Sequence, residues 1–296
     1  MSSPAHSTPQ SARLSDRTVI RISGADRVRF LQGLVTTDIA ALGPNDAAWG
    51  ACLTPQGRWQ ADFFVLAHPE DDCLLLDCAA TQAETLRTQL LRFRLRADVT
   101  IDLTGLSVHA LWGAATETLA GETLLENALS YRDPRLENAG WRLIDAPPAT
   151  KANATEQDYA LHRLALGLPD GAQDCETGRT LAAEANMDLL GGIAWSKGCY
   201  MGQEITARMH YRALVKRRLV PVATTTPLPA PGTPIEQNGV EVGTLRSSQD
   251  HLGLAMLKTG LPAAPLLCAG HTLTPRPPAW LAEALQPPVS SNSTPD

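Results

Sequence analysis

The chain has 296 residues, 44% of them hydrophobic, and a net charge of −6 at neutral pH. That length supports two or three buried cores, and the apolar content is that of a globular protein, not a disordered one. The negative balance argues against non-specific binding to nucleic acid, and no apolar run is long enough to cross a bilayer as a helix. Neither nucleic acid nor membrane is therefore an expected direct partner.

Residues 1–13 are rich in Ser, Pro and Ala and are expected to be a disordered tail, without the pattern of a secretion signal or a mitochondrial transit peptide. Residues 19–22 alternate as a strand. Ser23-Gly24-Ala25-Asp26 then opens a helix predicted to run through Val35, with Val28, Leu31, Leu34 and Val35 on one apolar face and Thr36-Thr37-Asp38 as its stop. Residues 51–53 and 63–66 read as strands around the turn Thr54-Pro55-Gln56-Gly57, and residues 73–78 as another. A helix is predicted over 81–96, with Leu86, Leu90 and Phe93 on one side, followed by strands at 99–101 and 106–111. Beyond this point the alternation of helix and strand becomes mixed, which indicates an α+β fold and not a doubly wound sheet.

Asp133-Pro134-Arg135 reads as turn chemistry. Residues 158–167 read as a helix ended by Leu168-Pro169-Asp170-Gly171, and a loop-like stretch follows over 172–196, of a length often associated with function. After a Pro/Thr-rich linker at 224–234, short strands separated by Gly and Asn predict a small β-barrel. The expected organisation is a body over 14–212, a barrel over 213–286 and a disordered tail over 287–296. Arg212, Lys216, Arg217 and Arg218 at the boundary are expected to form a solvated face, with a docking surface for an acidic partner or a polyanionic folate tail as the alternative.

The six cysteines, Cys52, Cys73, Cys78, Cys175, Cys199 and Cys268, contain no Cys-x-x-Cys pair. Neither a disulfide framework nor a zinc site is indicated, and a reducing cytoplasm is the expected setting. The histidines show no His-x-x-x-His pair and suggest no metal site.

The densest stretch is Lys197-Gly198-Cys199-Tyr200-Met201-Gly202-Gln203-Glu204, continuing to Arg208. Cys199 stands between a lysine and the start of a predicted helix over 203–212. A nearby cation and the positive end of a helix both favour thiolate over thiol. Glu204 and Arg208 are four apart and expected to pair, while Ile205 and Met209 dock the helix and leave Gln203, Glu204 and Arg208 to line a cleft. The competing reading is that a lone cysteine is a buried small hydrophobe. The glycines and charges around Cys199 weigh against it.

This stretch resembles the signature of the YgfZ family of folate-binding, iron–sulfur-related proteins, relatives of the glycine-cleavage T-protein. The resemblance continues in Phe30-Leu31-Gln32-Gly33 with Thr37-Asp38, in Leu53-Thr54-Pro55-Gln56-Gly57-Arg58, in His162-Arg163-Leu164-Ala165-Leu166-Gly167-Leu168-Pro169 and in Glu184-Ala185-Asn186. From Thr206 to Leu219 it is nearest to the branch that contains the mitochondrial iron–sulfur assembly factor for aconitase-type proteins. It implies a T-protein-like body with a central folate channel, a C-terminal β-barrel, and a role in building or repairing [4Fe–4S] proteins. It also implies Cys199 and Lys197 as the reactive pair, with Cys199 a transient iron ligand, a partner in thiol exchange or a guard of the cluster during transfer, and not part of a resident metal site. Tetrahydrofolate or a related folate is the implied cofactor, held by Asp62, Gln203, Glu204 and Arg208. The implied partners are iron–sulfur assembly proteins and [4Fe–4S] client enzymes, with indirect effects on tRNA modification. The T-protein's paired aspartates correspond to Ala61 and Asp62, so one carboxylate is retained, and nothing matches its Gly-Glu-Asp-Gly region. Aminomethyl or one-carbon transfer is accordingly the alternative activity, with Asp62 either an acid/base or pterin contact or a polar residue on the open face of a strand.

Overall fold

The computed structural model describes residues 9–113, 116, 129–145, 152–212 and 215–286. In chain order the body contains β1 (Gln10–Arg13), β2 (Arg17–Ser23), α1 (Arg27–Gln32), β3 (Ala47–Leu53), β4 (Trp59–Ala67), β5 (Cys73–Ala79), α2 (Ala80–Arg94), β6 (Thr100–Leu103), β7 (Val108–Trp112), β8 (Leu129–Arg132), β9 (Trp141–Ile144), α3 (Glu156–Leu166), α4 (Gly171–Asp174) and α5 (Gln203–Tyr211). The remainder contains β10 (Arg217–Ala223), β11 (Pro234–Gln237), β12 (Val240–Gln249), β13 (Leu252–Lys258), β14 (Leu266–Cys268), β15 (His271–Pro275) and the short α6 (Ala279–Ala282). The α+β class and the C-terminal barrel agree with expectation.

Five antiparallel strands form one sheet in the order β3-β4-β5-β2-β6, and four form a second in the order β1-β7-β9-β8. Side-chain alternation along β4 and β5 divides the interior in two. Phe63, Val65, Leu74 and Leu76 pack under α2 with Leu86 and Leu90, while Phe64, Leu66, Cys73 and Leu75 face the second sheet with Val108 and Tyr131. Being covered on both faces explains why every residue of β5 is buried. The strands β10-β13-β12-β11-β14-β15 close into the barrel.

Three elements differ from the sequence reading. Gln10–Arg13 pairs with β7 instead of belonging to a tail, because the small Ala12 and the Leu14 that follows are buried against the second sheet. The expected tail residues at 1–8 and 287–296 lie outside the described residues. Helix α1 stops at Gln32, and Val35 instead forms a β-bridge with Cys52. The Thr36 hydroxyl donates to Gly192 O at 2.6 Å and accepts from Ala51 N, so hydroxyl bonding outcompetes helix propagation there. The basic cluster is also no simple solvated face. Arg218 is buried against Asp188 at 2.8 Å and Ala183 O at 2.8 Å, and Arg217 pairs with Glu184 at 3.0 Å, so both guanidinium groups fasten the barrel to the body.

The polar centre between the sheets is built on Asp77. It accepts Arg17 Nε at 2.6 Å, Arg142 Nη1 at 3.0 Å and the Tyr131 hydroxyl at 2.8 Å. Arg142 also donates to the Tyr159 hydroxyl at 2.9 Å. The guanidinium groups of Arg142 and Arg135 lie 4.2 and 4.8 Å from the centre of the Phe64 ring. Burial, followed by the neighbouring Asp77 carboxylate, holds the Tyr131 hydroxyl well above its ordinary pKa. Asp77→Ala leaves two arginines buried without their anion, which costs on the order of 3–5 kcal/mol. A loss of that size is expected in urea unfolding. A loss under about 1 kcal/mol would mean that the arginines find other partners.

Candidate functional site

Cys199 is exposed, and three separate segments hold it at the surface. The first is the turn after α1. The Lys197 ammonium is buried and donates to the carbonyls of Val35 at 2.9 Å and Thr37 at 2.5 Å. Gln32 braces the same turn, accepting from Ile39 N at 2.8 Å and donating to Asp38 at 2.9 Å. Met201 N–H reaches back to Gly33 O at 3.2 Å.

The second segment is the turn between β3 and β4. Gly202, the residue before α5, has φ +83°, and a β-carbon there would sit 2.6 Å from Thr54 O. Only glycine meets both requirements. The third is α5 itself, where the Thr206 hydroxyl donates to Gly202 O at 2.9 Å and Ile205 packs over Gly57. Along 197–200 the buried Lys197 and Tyr200 flank the exposed Gly198 and Cys199.

Lys197 does not act as sequence reasoning expected. Its ammonium is spent on two backbone carbonyls and lies 5.3 Å from the Tyr200 ring, with no hydrogen bond to the thiol. A buried ammonium must have acceptors, and the exposed neighbouring segment cannot supply them. Burial pushes its pKa down to about 8, against the smaller opposing effect of Asp38. Cys199 also stands three residues before Gly202, outside the first turn of α5, where the helix dipole is strongest.

On α5, Glu204 and Arg208 are both exposed and do not pair with each other, and Gln203 is half-buried. The expected ion pair is absent because two long side chains gain little by joining in water. Sequence reasoning missed the aromatic group beyond them. Trp195 stacks on His210 at 4.0 Å between ring centres, and Tyr211 is 74% exposed beside them. The spacing of Trp195 from His210 gives no local signal of the stack. The other cysteines differ sharply from Cys199: Cys52, Cys73, Cys78 and Cys268 are buried and Cys175 is half-buried. Burial pushes the Cys52 and Cys78 thiols up to about 12.

Asp62 lies elsewhere. It is buried on the inward face of β4, accepts the Trp49 indole N–H at 3.0 Å, and is so close to Gly171 that a β-carbon there would fall 1.9 Å from its oxygen. Burial, and then the Asp170 carboxylate, raise its pKa. This corrects the expectation of an open strand face: the second sheet and α4 cover it. Asp62 borders a cavity of about 50 Å³ shared with Arg17, Phe64, Arg135, Arg142 and Asp170.

Neither Cys199, Gln203, Glu204 nor Arg208 lines that cavity, so the residues expected to hold folate fall in two separate places. Small-molecule sites typically offer roughly 300–1,000 Å³, whereas 50 Å³ admits a few waters. A pterin does not fit beside Asp62 with Trp49, Phe64 and Arg135 where they stand.

Comparison with known proteins supplies the kinship. The family described as CAF17, C-terminal beta-barrel domain, matches residues 216–283. The solved structure of the glycine cleavage system aminomethyltransferase T from Bartonella henselae superposes with a TM-score of 0.73 over 95% of this chain and 88% of that one. At 15% identity this likeness establishes a shared fold and nothing about activity. The mouse iron–sulfur cluster assembly factor IBA57, mitochondrial, is 32% identical over 86% of this chain and 79% of its own length. The human factor of the same name is 34% identical over 83% and 76%. Both are named as mitochondrial, a finding that overturns the cytoplasmic setting expected from the cysteines. Free thiols separate reducing from oxidising compartments without choosing among the reducing ones. By this identity across three quarters of the human protein, the chain belongs to the IBA57 family of iron–sulfur cluster assembly factors.

Proposed function

We propose that the chain assists the building of [4Fe–4S] proteins by lending the Cys199 thiolate as one ligand of an iron–sulfur unit whose remaining ligands come from a partner. The observation that carries this reading is the contrast among the cysteines: Cys199 is exposed and held by three segments, while four of the others are buried and Cys175 is half-buried. Iron–sulfur units are bound through thiolates, and a complete set needs four. One exposed thiol on a chain of this kind calls for a second protein. The cluster is cargo, so the thiol must release as readily as it binds, and an exposed site with water at hand suits that. Effects on tRNA modification follow indirectly through client enzymes that carry [4Fe–4S] clusters. This reading assigns no step to folate or to aminomethyl transfer.

In cells lacking their own factor, Cys199→Ser is expected to lower aconitase activity by about tenfold with the melting temperature of the purified variant unchanged. Full rescue by the serine variant would remove the thiol from the function.

Lys197→Met tests positioning against activation. Two buried carbonyls lose their donor, at about 1–3 kcal/mol of stability. Alkylation of Cys199 by iodoacetamide should change by less than about threefold, since no ammonium faces the thiol. A tenfold slower reaction in the folded variant corresponds to roughly one unit of thiol pKa and would restore Lys197 as the activating cation.

Calorimetric titration with tetrahydrofolate should give no saturable heat. Binding that saturates and disappears in Asp62→Asn would show that the centre opens.

A further inference from the structure

The C-terminal end of α2 carries a surface that the role of Cys199 does not explain. Arg92, Phe93, Arg94, Leu95 and Arg96 are all exposed, Phe93 at 41% and Leu95 at 88%. Among the described residues the three arginines enter no ion pair, although Arg87 earlier in the helix pairs with Glu84. Leu95 has φ +46° and ψ −107° and occupies the second position of a turn closed by Ala97 N–H to Arg94 O at 2.8 Å. That conformation belongs ordinarily to glycine. A leucine held there is strained, and its side chain gains nothing from water. Packing within the chain accounts for neither the leucine nor the cations between which it stands.

The position of this stripe connects it to the thiol. Arg92 and Phe93 line a groove of about 610 Å³ together with Thr54, Pro55, Gln56 and Met201, and the one carboxylate in its lining, Glu84, is paired with Arg87. Met201 is two residues from Cys199. A partner seated in this groove meets Arg92 and Phe93 at the start of the stripe and Met201 of the segment that carries the thiol.

We infer that residues 92–96 are the docking surface for the acidic partner protein that completes the ligand set at Cys199. This rests on the reading of Cys199 as a shared ligand. Partner carboxylates pair with Arg92, Arg94 and Arg96, and apolar partner side chains cover Phe93 and Leu95. Charge complementarity selects a protein over the other polyanions. The chain as a whole carries −6 and repels an extended anionic membrane or nucleic acid, while three local cations suit a local cluster of carboxylates. The stripe is all arginine, whose planar fork matches carboxylate geometry, and arginine with large apolar side chains is the composition that protein interfaces favour.

The test uses the full-length chain in cells, with the photo-crosslinking residue p-benzoylphenylalanine in place of Leu95 in one form and of the exposed Gly198 in another, and mass spectrometry to identify what is captured. Both positions are expected to capture the same acidic iron–sulfur assembly protein. Arg92→Glu, Arg94→Glu and Arg96→Glu together should reduce capture from position 198 at least tenfold. Leu95→Gly relieves the backbone, so it should hold or raise the melting temperature while reducing that capture several-fold. That combination separates docking from folding.

If position 198 captures an assembly protein and position 95 does not, or the arginine variant stays within twofold, the docking surface is overturned and the reading of Cys199 stands. Failure of position 198 to capture any iron–sulfur protein overturns both. Binding of the purified chain to phosphatidylserine–cardiolipin vesicles or to an RNA duplex, abolished by the same arginine changes, assigns the stripe to that polyanion and overturns the proposal.

Discussion

The placement of the exposed thiol depends on one buried ammonium. Lys197 is connected to the turn after α1 through the carbonyls of Val35 and Thr37, about 160 residues earlier in the chain. An ammonium removed from water is costly unless its protons are taken up, and a backbone turn that leaves the helix early offers free carbonyls. The two requirements satisfy each other. Because Lys197 and Tyr200 are drawn inward, the backbone between them has only Gly198 and Cys199 to place outside. The exposure of the sulfur is thus a consequence of where its neighbours are anchored.

Much of this was legible in the chain, and the remainder failed for definable reasons. The turn at Thr54–Gly57, the helix after Gly202 and the barrel follow from local rules of turn, cap and alternation, and they appear as expected. The overrun of α1 past Gln32 came from counting Leu34 and Val35 as helix-face residues. Val35 is taken instead by a bridge to Cys52 and the next residue, Thr36, by Gly192, contacts that no local pattern reports. Lys197 is a sharper case. Adjacency in sequence suggested a cation for the thiol, but the direction of a side chain is decided by what can solvate its charge. Arg218 carries the same lesson: within a basic run it looked solvated, yet Asp188 and Asn186 from a distant loop take it inside.

The interior shows how a shared fold can support a different role. The sheet arrangement superposes well on a protein named as an aminomethyltransferase, and Asp62 points to the centre between the sheets. Around it, however, Trp49, Phe64, Arg135 and Arg142 fill the space, held by Asp77, Asp133 and one another. A buried ion network of this density is rigid, since moving any member strands another charge in low dielectric. Such a centre is better suited to fixing the relative position of two sheets than to opening for a ligand.

That rigidity bears on the surface chemistry. The turn that receives Lys197 packs against β3, and β3 and β4 form the sheet whose inner face the ion network locks to the second sheet. The thiol therefore sits on a framework whose parts cannot shift independently, while the sulfur itself remains in water. The proposed transfer of a cluster asks for that division. A ligand on a mobile loop would meet its partner in many orientations, and one sealed in the core would not release what it had bound. A fixed backbone with a solvated sulfur gives a reproducible approach and a low barrier to exchange, which is what distinguishes a site for passing a cluster onward from one for keeping it.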